Sequence, residues 1–110
     1  MIITRAICLV HDGKLDEATR AANELRSHTL GRKGALVYEC FLDRERGAVI
    51  TTEIYATSED MLTHNETENF GPFMSAVTVE SIELHGDPTS QLVAALSGFP
   101  VTFYPTLKSA

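Results

Sequence analysis

Hydrophobic and polar positions follow two rhythms along the chain, and the rhythm changes at turn residues. Residues 2–10 form an apolar, β-branched run that ends at His11-Asp12-Gly13, which predicts a first strand. A helix with Asp12 as its cap and an end near Gly31 is predicted next. Its apolar stripe recurs every three or four residues, at Leu15, Ala18, Ala22, Leu25 and Thr29.

The remaining pattern completes a two-layer domain. Residues 35–42 and 49–56 alternate as strands around a charged turn, which predicts a hairpin. A second helix is predicted from Ser58, a good N-cap, to about Glu68, with a helical pattern resuming after Pro72. Residues 77–84 predict a fourth strand. The order βαββαβ is that of the ferredoxin-like α+β fold.

A C-terminal extension follows this core. Residues 91–96 predict a short helix and residues 101–104 a short strand. No internal repeat or linker divides the chain. We therefore predict a single domain over residues 1–110, with a core at about 2–85 and an extension at 86–110.

Large apolar residues occupy both faces of the predicted strands, although the helices of this fold cover only one face. In the first strand Ile3, Ile7 and Leu9 alternate with apolar residues of the opposite face. An exposed apolar face of that size is rare on a soluble monomer. We expect two protomers to pack sheet against sheet, as a homodimer or within a higher oligomer.

Composition and charge exclude several kinds of partner. Fifteen acidic and nine basic residues give a net charge of −6, and no basic cluster is longer than Arg32-Lys33, so nucleic acid is not an expected partner. No apolar run is long enough to span a membrane and no signal peptide is recognised, so we expect a cytoplasmic protein. Cys8 and Cys40 lie in apolar strand patterns without CxxC spacing, which predicts buried thiols.

Glu53 and His64 form the most suggestive polar pair. Glu53 interrupts a strand, and a buried carboxylate there needs a partner, which Arg5 on a neighbouring strand or His64 could supply. The imidazole of His64 titrates near neutral pH and suits a base. A structural pair that holds the helix against the sheet is an equally open interpretation.

Other side chains would complete a ligand site. Tyr38 and Tyr55 could direct hydroxyls into a cavity, or pack as strand tyrosines commonly do. Asn65 could donate to a bound oxyanion, or lie in solvent. Apolar walls for a flat ligand, or an ordinary core, would come from Phe41, Phe70, Phe73 and Met74. No metal site is predicted, because ligand-like spacing is missing among His11, His28 and His85.

The segment GALVYECFLDRERGAVITTEIYATSEDMLTHNETENFGPF resembles the antibiotic biosynthesis monooxygenase family, small proteins of the dimeric α+β barrel fold. The family pattern is a glycine, a strand with a tyrosine, an acidic turn, a strand ending in Glu-x-aromatic and a helix with a histidine. The resemblance covers about residues 2–85. The extension is similar to that of some members, which implies that it lies across the partner protomer. The pattern falls here on Gly34, Tyr38, Asp43, Glu53, Tyr55 and His64.

This resemblance implies that dioxygen oxidises an electron-rich aromatic substrate, a quinol or polyphenol, without metal, flavin or other cofactor. The deprotonated substrate would itself donate an electron to dioxygen. His64 would accept the proton, Glu53 would orient it, and Tyr55 or Tyr38 would bind the substrate oxygen. The chain has no tryptophan, and Tyr55 stands where members often carry one. The sequence ENFGPF also lacks the histidine ligand of the haem-degrading branch, so haem is not expected.

Two other functions fit the same fold. One is a non-catalytic module for small-ligand binding or assembly, and the other is an isomerase or decarboxylase acting on a small polar substrate. The cavity distinguishes them. An apolar pocket that reaches His64 favours oxygenation, converging basic groups favour an anionic substrate, and a filled core favours a non-catalytic role.

Overall fold

The computed structural model describes residues 1–108, so the last two residues of the predicted extension lie outside the described residues. The predicted α+β order is confirmed, with the second helical region divided into α2 and α3. The elements are β1 (Ile2–Val10), α1 (Leu15–Leu30), β2 (Ala35–Asp43), β3 (Ala48–Tyr55), α2 (Ser58–Thr67), α3 (Gly71–Ala76), β4 (Val77–His85), α4 (Ser90–Ala95) and β5 (Val101–Tyr104).

The strands of the described chain form one sheet in the order β2-β3-β1-β4-β5. The first four strands are antiparallel, as in a ferredoxin-like sheet, and β5 adds in parallel to β4. In the centre, Thr4 of β1 lies opposite Glu53 on one side and Leu84 on the other. This register places Glu53 on a strand that has a neighbour on each side.

The helices pack on the sheet face that carries the alternate residues of β1 beginning with Ile2. Small side chains of α1 allow close packing, because Ala18, Ala21 and Ala22 are all buried against the sheet. A second apolar cluster joins Ile2 and Tyr55 to residues of α2 and α4. The site described below lies between these clusters.

The opposite sheet face is also rich in apolar side chains, as the strand patterns predicted. Seven of them follow from the strand registers: Ile3, Ile7, Leu9, Val37, Phe41, Ile50 and Ile54. Phe41 is 56% exposed in the single chain. Packing of a second protomer on this face stays a prediction.

Gly34 adopts a backbone conformation that only glycine accepts easily, with φ +89°. A Cβ atom added here would lie 2.2 Å from the Asp60 carboxylate. The side chain of Asp60, in the first turn of α2, therefore occupies the space that any larger residue would need just before β2.

Three local expectations are wrong. The side chain of Thr57, not Ser58, caps α2 by accepting from the Asp60 N–H, while the Ser58 hydroxyl accepts from the Thr89 N–H. Asp12 does not cap α1, whose N-cap is Lys14 without a side-chain hydrogen bond. Leu15, at the helix start, is exposed rather than part of the buried stripe.

The described part of the extension folds onto its own chain, and its contact with a partner protomer stays a prediction. Strand β5 pairs with β4 from Ile82↔Val101 to His85↔Tyr104, and the rings of His85 and Tyr104 stack. Leu92 of α4 is fully buried in the second apolar cluster. Within residues 1–108, no helix has both the length and the apolar character to cross a membrane.

Candidate functional site

A cavity of about 270 Å³ lies between the helix-covered sheet face and the helices. Its volume is just below the roughly 300–1,000 Å³ typical of ligand pockets. The walls are mainly apolar and come from Ala6, Cys8, Leu25, Met61, Phe70, Phe73, Met74, Val79, Ile82, Ala95, Leu96 and Phe99. The polar lining residues are Tyr38, Thr51, Glu53, His64 and Asn65.

Glu53 presents its carboxyl group to this cavity from the middle of β3. The hydroxyl of Tyr55 donates to Oε1 at 2.5 Å, and that of Thr51 donates to Oε2 at 3.2 Å. The side chain is only 13% exposed, and burial raises the pKa of Glu53 while the two hydroxyl donors oppose this rise. The cavity therefore holds a carboxyl group that binds its proton more tightly than an exposed glutamate does.

His64 faces Glu53 from α2, with its Nε2 atom 3.6 Å from Glu53 Oε1. Its other ring nitrogen, Nδ1, is 3.1 Å from the hydroxyl of Thr29 on α1. The residue is 2% exposed, and burial lowers the pKa of His64 to about 4, an effect that the Glu68 carboxylate partly opposes. The imidazole is therefore neutral at pH 7, with one nitrogen available as an acceptor.

Aromatic rings surround His64. Its ring centroid lies 5.5 Å from those of Tyr38 and Tyr55, and 5.2 Å from that of Phe70 in an edge-on arrangement. Burial also raises the pKa of both tyrosines, which keeps their hydroxyls protonated and able to donate. The imidazole thus sits in a mainly apolar environment, where Thr29 is a hydrogen-bond partner and Glu53 lies 3.6 Å away.

The predicted site residues divide into those that reach the cavity and those that do not. His64, Glu53, Tyr38, Asn65, Phe70 and Phe73 line it, as does Met74. Tyr55 is fully buried beneath Glu53 and lies outside the cavity lining, so it contacts the carboxyl group and not the cavity.

Phe41 and Arg5 lie on the wrong face of the sheet for the roles expected of them. Phe41 pairs with Ile50 on the open face, because strand alternation separates it from Tyr38, so it does not line this cavity. Arg5 lies opposite Thr52 and forms its ion pair with Glu83 at 3.9 Å, not with Glu53. Of the two partners expected for Glu53, the structure provides His64.

Several contributors were missed by reasoning from the sequence. Thr29 is fully buried on the apolar stripe of α1, and its place on that stripe was a signal that it needed a polar partner. A buried carboxylate, Glu68, binds Arg32 Nε at 2.9 Å and lies 3.6 Å from His28 Nδ1. This cluster ties the end of α2 to the end of α1 close to His64.

The lining of the cavity contains few charged side chains. Its lining, as described, includes no lysine or arginine, and Glu53 is its only carboxylic acid. Within residues 1–108, no group of three or more His, Cys, Asp and Glu side chains is arranged to hold a metal ion. The arrangement favours an uncharged, largely apolar ligand that places a polar group against Glu53, His64 and Tyr38.

Residues 1–76 match the model of the family described as antibiotic biosynthesis monooxygenase. The chain belongs to this family. The matched region includes the strands and helices that carry Tyr38, Glu53 and His64, whereas α4 and β5 lie beyond it. No curated protein matches the chain.

Solved structures of this family-like fold resemble the chain at low sequence identity. MupZ from Pseudomonas fluorescens superposes with a TM-score of 0.81 at 12% identity, over 99% of this chain and 92% of that chain. A conserved protein of unknown function from Bacteroides thetaiotaomicron gives 0.68 at 22% identity, over 76% and 93%. A candidate antibiotic biosynthesis monooxygenase from Chloroflexus aurantiacus gives 0.65 at 13% identity, over 76% and 88%. These likenesses concern the fold.

The coverage values separate two kinds of relative. MupZ aligns over nearly the whole chain, so its fold includes an equivalent of the C-terminal extension. The other two alignments cover 76% of this chain, which leaves about a quarter of it unmatched.

Proposed function

We propose that this protein is a cofactor-independent monooxygenase that oxidises a quinol or polyphenol-type aromatic substrate. The observation that carries the proposal is an apolar cavity that ends at a neutral imidazole, a carboxyl group and a tyrosine hydroxyl. Family membership supports the same reaction class. A flat aromatic ring matches the walls, and its hydroxyl group matches the polar end.

The reaction needs no electron donor besides the substrate. A quinol and dioxygen give a hydroxyquinone and water, with one oxygen atom entering the ring and the other leaving as water. All four electrons that reduce dioxygen come from the substrate. The protein has to bind the quinol, accept its proton and exclude water while the electrons move.

His64 is the proton acceptor in this proposal. Its Nε2 faces the cavity beside Glu53, and the buried environment disfavours the imidazolium form. A complete proton transfer before oxidation would therefore be costly. We expect proton transfer to His64 and electron transfer to dioxygen to proceed together, which avoids accumulating charge in the apolar cavity.

The other polar side chains have supporting roles. Glu53 orients His64 and stabilises the positive charge that develops on it, while Tyr55 and Thr51 hold the Glu53 carboxyl group in place. Tyr38 and Asn65 line the cavity and would donate to the substrate oxygen as it becomes an anion. Tyr55, which has no cavity surface, acts only through Glu53.

Self-association belongs to the same proposal. The open sheet face carries seven apolar side chains that pair across neighbouring strands, and a second copy of the chain would bury them by two-fold packing. We propose a homodimer built on this face. The catalytic cavity lies on the other side of the sheet, so each protomer would keep its own site.

A non-catalytic ligand-binding member of the fold is the second candidate, because Tyr55 and Thr51 already donate to Glu53 and Thr29 already hydrogen-bonds to His64. An isomerase or decarboxylase for an anionic substrate is less well supported, since the described cavity lining lacks a lysine or arginine. Both alternatives predict that bound quinols are not oxidised faster by the protein.

Oxygen uptake tests the proposed activity. Metal-free protein is mixed with a panel of hydroquinones and hydroxyanthrones, and uptake is compared with the spontaneous rate and with His64→Ala. We expect at least one substrate to be oxidised faster than spontaneously, with a loss of 10²-fold or more in the variant, roughly the contribution of a general base. A folded protein that binds quinols without accelerating uptake would favour the non-catalytic candidate.

A further inference from the structure

The C-terminal extension supplies part of the wall of the cavity. Ala95 at the end of α4, Leu96 next to it and Phe99 in the turn before β5 all line it. The family model ends at residue 76, so these three residues lie outside the part of the chain that defines the family. A chain without the extension would have the same polar end but a more open cavity.

The two ends of the cavity differ in exposure. His64 and Tyr38 at the polar end are buried, whereas Phe99 is 46% exposed and Met74 is also exposed. Phe99 therefore stands at the outer rim, and it precedes β5, which β1 and β4 separate from the strand β3 of Glu53. A ligand that places its hydroxyl against His64 reaches Phe99 only if its apolar part is long enough.

Phe99 is held in place by a compact hydrogen-bonded turn. Its N–H donates to the Leu96 carbonyl at 3.2 Å, and its carbonyl accepts from the Val101 N–H at 2.9 Å. Gly98, with φ +90°, allows the turn. The side chain is thus mounted on a fixed backbone between α4 and β5.

Both flanks of this turn are anchored to the core. Leu92 and Leu96 are buried with Tyr55 and Met61, and Thr89 at the start of α4 binds Ser58. On the other side the Ile82 N–H donates to the Pro100 carbonyl at 2.9 Å, which begins the pairing of β5 with β4. The position of Phe99 is therefore set by the folded extension and does not depend on a bound ligand.

We infer that Phe99 is a specificity-determining residue, whose ring packs against the outer part of a long aromatic ligand and selects it over a shorter one. This inference rests on the proposed function, because it takes the ligand to be aromatic with its hydroxyl at the His64 end. The class of substrate is thereby narrowed to linear fused-ring phenols and quinols rather than single-ring ones.

Two probes that differ by one ring test the inference. 2-Naphthol and 2-hydroxyanthracene both carry a hydroxyl at one end of a linear fused system, and their binding under argon is followed by probe fluorescence. The chain has no tryptophan, so protein emission does not interfere. Affinities are measured for wild type, Phe99→Ala, Phe99→Tyr and Phe103→Ala. Phe103 is the matched control, since it is 39% exposed on β5 and outside the cavity lining.

We expect Phe99→Ala to weaken the binding of the three-ring probe by about three- to ten-fold, the size of an aromatic pair contact. The binding of the two-ring probe should weaken by less than about two-fold. Phe99→Tyr restores the preference, and Phe103→Ala leaves both affinities unchanged. An equal loss for both probes in Phe99→Ala, or no loss for either, would overturn the inference while the proposed function stands. Failure of both probes to bind wild type would overturn the proposed function and the role of Phe99 together.

Discussion

The proposed chemistry depends on the charge states of two residues, Glu53 and His64. Burial raises the pKa of Glu53 and lowers that of His64, because it disfavours the charged form of each group. Within this pair, His64 Nε2 lies 3.6 Å from Glu53 Oε1. A neutral imidazole held by Thr29 can accept a proton without first losing one.

The pH dependence of stability follows from the pKa of His64. The pKa is about 4 in the folded protein and near 6.5 in the unfolded chain, so the unfolded chain binds the proton first as pH falls. The contribution of neutral His64 to the free energy of unfolding is complete above about pH 6.5. It is lost progressively towards pH 4, by up to about 3 kcal/mol. We expect urea unfolding of His64→Gln to show a smaller loss over this interval than wild type.

Parallel pH profiles for the two proteins would contradict the depressed pKa of His64.

The raised pKa of Glu53 acts in the opposite sense, because the unfolded chain releases that proton first as pH rises. The stability that protonated Glu53 contributes is therefore lost as pH rises above the ordinary pKa range of glutamate. Glu53→Gln, which cannot ionise, should therefore remove a loss of stability that begins above the ordinary pKa range of glutamate, while the loss governed by His64 remains.

How far the sequence predicted the site is clearest at particular residues. Strand alternation puts Glu53 and Tyr55 on one face of β3, and in β2 it separates Tyr38 from Phe41. Choosing Phe41 as a pocket residue followed its aromatic character instead of its position. The depth of Tyr55 was not predictable, because it depends on how α2 and α4 close over the strand.

At the scale of elements, the junction between β2 and α2 depends on Gly34. Alanine there would combine backbone strain with a clash against Asp60, whose carboxylate lies 2.2 Å from the new Cβ position. We expect Gly34→Ala to lower the free energy of unfolding by about 1–3 kcal/mol. Denaturant unfolding followed by circular dichroism measures the change.

Gly47→Ala is the matched control for this prediction. Gly47 also has a positive φ, +62°, but a Cβ atom there meets nothing within 4 Å. The control variant therefore has the backbone strain without the clash, and its loss in free energy of unfolding should be the smaller of the two. Equal losses in the two variants would show that the contact with Asp60 is unimportant.

The order of elements was predictable from hydrophobic periodicity, whereas the placement of the extension was not. A short helix and a short strand were correctly expected after the core. The pairing partner of an isolated strand is not encoded in its own four residues, and parallel pairing with β4 depends on the crossover through α4. Neighbouring hydroxyl residues explain the one-residue error at the α2 cap, since Thr57 and Ser58 are both good N-cap residues.

At the scale of the whole molecule, the open sheet face should decide the oligomeric state. An acidic residue at Phe41 would place a charge within the apolar surface of the proposed interface, on the edge strand β2. We expect wild type to sediment as a dimer and Phe41→Asp to raise the dissociation constant at least ten-fold. Val93→Asp, at a position 41% exposed on α4, should leave association unchanged.

Sedimentation over a range of protein concentrations separates the outcomes. A wild-type protein that is monomeric throughout would contradict the proposed homodimer and leave the apolar face without an explanation. Equal weakening by the two aspartate substitutions would mean that a surface other than the open sheet face mediates association.

The central claim is that dioxygen supplies an atom to the substrate in a cavity where His64 accepts the proton. The most direct measurement is mass spectrometry of the product formed from the accepted quinol or anthrone under ¹⁸O₂, with wild type and His64→Ala. We predict one labelled oxygen atom per product molecule with wild type, and only the spontaneous yield with the variant. Product that is unlabelled under ¹⁸O₂ but labelled in H₂¹⁸O, or equal labelled yields from both proteins, would contradict the claim.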